Sequence, residues 1–136
     1  MFNKNKILRI VTISKKERWP YPVIFEALAE AGVKSYEVDV ATHEIVYFGH
    51  QETVSEDKPL HFQALAIAQR FDAQAIKEAI KKSQTRELDY EQFLRSIAQA
   101  GVHHYCVKMS QREIIYYGKN PDEYYSEIIL EKNNDN

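Results

Sequence analysis

The sequence is short of glycine, proline and cysteine, and each shortage excludes a class of protein. Four glycines and four prolines in the whole chain argue against a long disordered region. The single cysteine, Cys106, excludes an internal disulfide, and the sequence has no CxxC or Cys/His pattern for zinc. It also has no run of about 18 apolar residues for a membrane span and no long uncharged signal region at the start. We therefore expect a cytoplasmic protein that needs no membrane.

An excess of one charge sign is also missing. Lysine and arginine number 18 and aspartate and glutamate 20, for a net charge of −2. A nucleic-acid partner is not expected, because no overall basic field is available to attract one. Apolar residues make up 44% and charged residues 28%, as is typical of a soluble globular protein. The length indicates a single domain over residues 1–136.

The sequence does contain two similar segments. Residues 31–49 read AGVKSYEVDVATHEIVYFG, and residues 100–118 read AGVHHYCVKMSQREIIYYG. When residue n is set against residue n+69 without a gap, 11 of the 29 positions from 21 to 49 are identical. We call two residues related in this way equivalent.

A solenoid needs at least about three repeats to bury its core. Two units instead predict a tandem duplication with pseudo-twofold symmetry, in which both copies share one core. The repeats are expected at roughly 5–49 and 74–118, with a linker at 50–73.

Each repeat is predicted to begin with two helices. Asp72 is a suitable N-cap for the first helix of the second repeat. Asp89 caps the next helix, with Gln92 in place to complete a capping box. Gly32 and Gly101 each follow a helical segment, where a glycine can adopt the left-handed conformation that ends a helix.

Two strands are predicted after each helix stop, because apolar and polar residues then alternate with period two. The apolar positions of the two hairpins are Tyr36, Val38, Val40, Ile45, Tyr47, Tyr105, Val107, Met109, Ile114 and Tyr116. Four such strands predict an antiparallel sheet with the helices packed on one face, which is an α+β fold. The tail segment YYSEIIL (124–130) also favours a strand. Residues 58–72 are predicted to join the halves through a short strand and a helical turn.

Several of these segments together resemble a known family. They are AIKKSQ (79–84), DYEQF (89–93), AGVHHYCV (100–107) and IIYYG (114–118), with AGVKSYEVDV and IVYFG as the earlier block. They resemble an uncharacterised bacterial family of unknown function (DUF family 1398), some members of which are labelled phage envelope protein. The resemblance covers about residues 20 to 130. It implies a bacterial or phage-related protein, and it assigns no catalytic or binding residue.

The second face of the predicted sheet is where a ligand could bind. It is expected to present acids from the first repeat and a base and a thiol from the second, flanked by aromatic walls. The predicted ligand-binding residues are Glu37, Asp39, Phe48, His104, Cys106, Lys108 and Tyr117. Such a mixture suits a small polar or zwitterionic ligand. The other interpretation is a solvated surface that needs only to be polar.

Two functional classes follow from these residues. The first is a non-enzymatic module that binds a small ligand or a protein partner, and a homodimer is left open. The second is an enzyme that uses Cys106 and His104 with Glu37 and Asp39. Residues two apart on a strand are about 6.5 Å apart by strand rise, so a direct Cys–His contact requires bent side chains. No motif indicates a cofactor or a metal, and the tyrosines of the hairpins are expected in the core.

Overall fold

The computed structural model describes residues 1–57 and 62–129 and contains four helices and six strands over these ranges. The elements in chain order are α1 (Lys4–Glu17), α2 (Tyr21–Glu30), β1 (Ser35–Asp39), β2 (Ile45–Phe48), β3 (Thr53–Glu56), α3 (Ala73–Gln84), α4 (Tyr90–Gln99), β4 (His104–Lys108), β5 (Glu113–Tyr117) and β6 (Tyr124–Ile128). The predicted α+β class is confirmed.

The predicted helix caps are present. Asp72 accepts a hydrogen bond from the backbone N–H of Ala75 at 3.1 Å. Asp89 and Gln92 form the reciprocal capping box, with distances of 2.8 and 2.9 Å. Asn3, the residue equivalent to Asp72, caps α1 in the same way. These side chains satisfy backbone donors that a helix start would otherwise leave unpaired.

All six strands form one antiparallel sheet in the order β3-β2-β1-β4-β5-β6. Each half of the chain supplies three consecutive strands, and the halves meet where β1 pairs with β4. Elements of the two halves correspond closely: the first and last residues of α2 and β1 are equivalent to those of α4 and β4. The ancestral duplication itself stays a prediction.

Two segments differ from what the sequence predicts. The sheet has one strand more than the sequence predicts, because the predicted linker contains β3, while the tail forms β6 as expected. Strand β3 is short, lies at the edge and is at most half-buried, so its alternation is weak. The strand and helical turn predicted at 58–72 are wrong for residues 62–72, which form neither. The remaining residues, 58–61, lie outside the described part of the chain.

The core lies between the helices and one face of the sheet. In β1, Tyr36 and Val38 are buried while Glu37 and Asp39 are exposed, as the period of a half-buried strand requires. The helices contribute the fully buried side chains Ile7, Phe25, Leu28, Ile76, Leu94 and Ile97. We call the opposite face of the sheet, turned away from this core, the outer face.

Gly32 and Gly101 end α2 and α4 as predicted. Their φ angles are +96° and +90°, a conformation that side chains with a Cβ rarely adopt. The chain then turns so that the N–H of Val102 donates to the carbonyl of Ile97 at 3.0 Å, which satisfies a carbonyl at the helix end. Space is also lacking, since a Cβ on Gly101 would stand 2.4 Å from the carbonyl oxygen of Arg70.

We expect Gly101→Ala to lower the free energy of unfolding by roughly 2 kcal/mol or more, because it adds left-handed strain and a backbone clash. Urea denaturation measures the change. Gln99→Ala, at an exposed position of α4, is the control and should stay within about 0.5 kcal/mol of wild type. A Gly101→Ala protein as stable as the control would contradict this account of the helix stop.

Candidate functional site

The seven residues predicted to bind a ligand all lie on the outer face, but they do not converge on one point. Glu37 is directly opposite Cys106, and Asp39 is directly opposite His104, across the β1–β4 pair. The ring of His104 stacks on Tyr117 at 5.0 Å. These contacts form two neighbouring groups near the centre of the sheet.

The aromatic residues of the prediction lie on opposite sides of the charged ones. Phe48 is opposite Ser35 on β1, and Ser35 is in turn opposite Lys108 on β4. Phe48 therefore stands two strands from Lys108, which is about 10 Å at the usual strand spacing. Tyr117 lies on β5, on the far side of β4. Ligand binding by the seven residues stays a prediction.

The environment of Cys106 does not activate the thiol. The residue is only 9% exposed, between the outer-face positions of Glu37 and Ile115. Burial raises the pKa of the Cys106 thiol, and the Glu37 carboxylate raises it further, while Lys108 acts in the opposite direction. A nucleophilic cysteine needs a lowered pKa, because the thiolate is the reactive form.

We expect Cys106 of the folded protein to react with iodoacetamide at pH 7 at least about tenfold more slowly than a free cysteine, since it is buried and its pKa is raised. Mass spectrometry of timed samples measures the rate. The same protein unfolded in urea is the control and should react at the rate of a free cysteine. Faster alkylation of the folded protein than of the unfolded one would contradict this prediction and would support an enzyme that uses Cys106 as its nucleophile.

A cavity of about 540 Å³ lies on the other face of the sheet, under the helices. Its walls come from the start of α2, the end of α3, the start of α4, the inner faces of β1, β4 and β5, and the end of β6. The lining residues are Pro20, Tyr21, Pro22, Tyr36, Ile80, Ser83, Gln84, Arg86, Tyr90, Phe93, Tyr105, Ile114, Tyr116, Glu127, Ile128 and Ile129. Both halves of the chain therefore build it.

Paired tyrosine hydroxyls are the main polar feature of this cavity. The hydroxyls of Tyr21 and Tyr36 share a hydrogen bond of 2.7 Å, and those of their equivalents, Tyr90 and Tyr105, share one of 2.6 Å. Burial raises the pKa of all four phenols, that of Tyr105 to about 12. They are therefore neutral at physiological pH and can both donate and accept hydrogen bonds.

His43 supports one of these pairs from outside the cavity. Its Nε2 lies 2.9 Å from the Tyr90 hydroxyl, and its ring stacks on Phe62 at 5.5 Å. Burial lowers the pKa of His43, which favours the neutral ring. The Tyr90 hydroxyl is thus held between His43 and Tyr105, whereas the residue as a whole remains 48% exposed and lines the cavity.

Glu127 is the acid of the cavity wall. Its Oε1 accepts a hydrogen bond from the Tyr116 hydroxyl at 2.6 Å, and its Oε2 lies 3.5 Å from Nε2 of Gln84. Burial raises the pKa of the Glu127 carboxyl, and the bond from Tyr116 offsets part of that rise. A carboxyl group in this position is ready to interact with a molecule that enters the cavity.

The raised pKa of Glu127 makes stability depend on pH. The folded protein holds this proton more tightly than the unfolded chain, so the stabilisation is present below the ordinary glutamate pKa of about 4.3 and is lost as pH rises through the raised value. Relative to Glu127→Gln, wild type should therefore lose free energy of unfolding as the pH rises from about 4.3 through the raised pKa of Glu127. Urea denaturation across this range measures the difference.

Glu78→Gln, at an exposed position of α3, is the matched control and should follow the wild-type profile. A Glu127→Gln profile parallel to wild type would show that burial of this carboxyl does not affect folding. Gln can still accept the hydrogen bond from Tyr116, so the comparison isolates the ionisation.

The sequence does not reveal this cavity, although it places most of the tyrosines correctly. Tyr36, Tyr105 and Tyr116 alternate with outward residues, and they are buried as expected. A signal is present in the repeat, because Tyr21 and Tyr90 are also identical equivalent positions and lie at helix starts. Phenols on the second helix and on the strands of each repeat need polar partners, which a closely packed apolar core does not supply.

Within residues 1–57 and 62–129, no group of three or more His, Cys, Asp or Glu side chains is placed to hold a metal ion. Over the same ranges, no helix has both the length and the apolar character needed to cross a bilayer.

Comparison with known proteins gives a family but no activity. The family described as protein of unknown function (DUF1398) matches residues 9–128, which is most of the chain. A search of the curated proteins found no match.

Proposed function

The chain belongs to the DUF1398 family of proteins of unknown function, and we propose that it is a non-enzymatic binding module that holds a small organic molecule in the tyrosine-lined cavity. The single observation that carries the proposal is the cavity itself. Its volume of about 540 Å³ lies within the range of about 300–1,000 Å³ that is typical of small-molecule sites. Its walls are mostly aromatic and aliphatic, with a few polar groups, as such sites usually are.

A binding role is favoured over catalysis by the groups in the wall. The phenols have raised pKa values, so they are neutral at physiological pH. The described residues that line the cavity include no histidine, cysteine, lysine or aspartate. The raised pKa of Glu127 would suit a general acid. However, the described lining residues provide no nucleophile with an adjacent base beside it. The thiol of Cys106 lies on the other face.

The outer face is the competing location for a ligand, since the residues predicted from the sequence lie there. The two locations can be separated by adding the same bulky side chain to each. Ser83 lines the cavity at the end of α3. Ser126 is exposed on the outer face of β6, opposite Ile115.

We expect a thermal-shift screen of small aromatic and aliphatic molecules to find ligands that raise the melting temperature by several degrees when present well above their Kd. Ser83→Trp should abolish the shift by filling the cavity, and Ser126→Trp should leave it unchanged. The opposite result would move the site to the outer face. A broad set with no effective molecule would remove the proposed small-molecule function.

A further inference from the structure

The two halves of the chain contain the same pair of an acid and a phenol. In the first half, the Tyr47 hydroxyl donates to Oε1 of Glu56 at 3.0 Å. In the second half, the Tyr116 hydroxyl donates to Oε1 of Glu127 at 2.6 Å. The two tyrosines are equivalent. On the edge strands, Glu56 lies two residues after Val54, which is opposite Tyr47, and Glu127 lies two residues after Tyr125, which is opposite Tyr116. The two carboxyl groups therefore occupy corresponding positions in the sheet.

Among the residues that the structure describes, Glu56 has a cation within ion-pair distance and Glu127 has none. The ammonium of Lys15, from α1, forms an ion pair with Oε2 of Glu56. The residue equivalent to Lys15 is Gln84, from α3, whose amide lies 3.5 Å from Oε2 of Glu127, at the outer limit of a hydrogen bond. In the described part of the chain, Glu127 takes part in no ion pair within 4.0 Å.

The acid without a cation is the one that faces the cavity. Glu127 lines the 540 Å³ space, whereas Glu56 does not. A partly buried carboxylate is unfavourable unless a positive charge or hydrogen bonds replace the lost water. Because Glu127 lines the cavity, a ligand there can supply the cation that Lys15 supplies to Glu56.

We propose that the ligand of this cavity is a monocation, an amine or amidine on an aromatic or aliphatic body, and that its positive group pairs with Glu127. This inference rests on the proposed function. The aromatic rings of the wall suit the same ligand, because they attract cations over their faces and bury an apolar body. A second positive group is disfavoured by Arg86, which lines the cavity from an exposed position after α3.

Three probes of nearly equal shape test the charge. They are 3-phenylpropylamine, 3-phenylpropan-1-ol and 3-phenylpropanoate, which are cationic, neutral and anionic at pH 7. Calorimetry or ligand-observed NMR gives each Kd. The amine should bind about tenfold or more tightly than the alcohol, the factor expected from one charge-assisted hydrogen bond. The propanoate should bind most weakly, because its carboxylate would meet Glu127.

Two substitutions identify the partner of the charge. Glu127→Gln removes the acid and should abolish the preference for the amine over the alcohol. Gln84→Lys supplies the missing cation from the protein, as Lys15 does for Glu56, and should have the same effect. Lys15→Gln is the matched control, because it changes the equivalent position of the other half and should leave all three affinities unchanged. Melting curves confirm that each variant is folded, and either Glu127→Gln or Gln84→Lys suffices if the other does not fold.

The outcomes separate this inference from the proposed function. Binding of the alcohol or the propanoate as tightly as the amine, with sensitivity to Ser83→Trp, would overturn the charge preference and leave the cavity as a ligand site. An amine preference that survives both Glu127→Gln and Gln84→Lys would also overturn the pairing with Glu127. Binding by none of the three probes would count against both proposals.

Discussion

The pairing of β1 with β4 holds the two halves of the chain together as one sheet. It is the only junction in the described sheet between strands of different halves, with Glu37 opposite Cys106 at its centre. Each half alone would be a three-stranded meander with two helices and an open edge. An unpaired edge exposes backbone hydrogen-bonding groups, and a three-stranded sheet buries little apolar area. Joined through this pair, the halves share one core.

The same junction creates the cavity. Tyr36 and Tyr105 lie on adjacent strands at the centre of the sheet, and Tyr21 and Tyr90 reach them from the starts of α2 and α4. Close packing against a phenol is limited by its hydroxyl, which needs a partner when it is buried. These hydroxyls pair with each other, and the rings then line a space rather than fill it. A cavity in this position follows from the joining of the halves, because both halves supply its walls.

Differences between the halves give the cavity its chemistry. Lys15 and Gln84 are equivalent, yet one neutralises a partly buried acid and the other does not. His43 and Arg112 are also equivalent, and both have positive φ values, of 63° and 53°, in the turns of their hairpins. His43 contacts Tyr90, whereas Arg112 pairs with a glutamate of α2 and covers a phenylalanine ring of the same helix. Similar backbones thus carry side chains of different charge in the two halves of the chain.

Local signals in the sequence account for most of the elements and for the faces that they bury. Caps such as Asp89, stops such as Gly101 and the alternation through Tyr36 and Val38 each act through neighbours a few residues away. The weak strand β3 and the course of residues 62–72 were not predictable in this way. Strand β3 is held at the edge by β2, and the N–H groups of Leu65, Ala68 and Asp72 bond to carbonyls at the ends of distant elements.

The cavity and the surroundings of Glu127 also could not be predicted from local signals, because they form only when distant parts of the chain pack together. Periodicity correctly assigned Tyr105 and Tyr116 to the buried face, but it cannot tell a filled core from one that leaves 540 Å³ open. It also could not show that Glu127 lies beside Tyr116 and Gln84, since these residues come from three elements. Local pattern decides which way a side chain points. Only the packing of the two halves decides what it meets there, because volume, burial and charge pairing are properties of groups far apart in the chain.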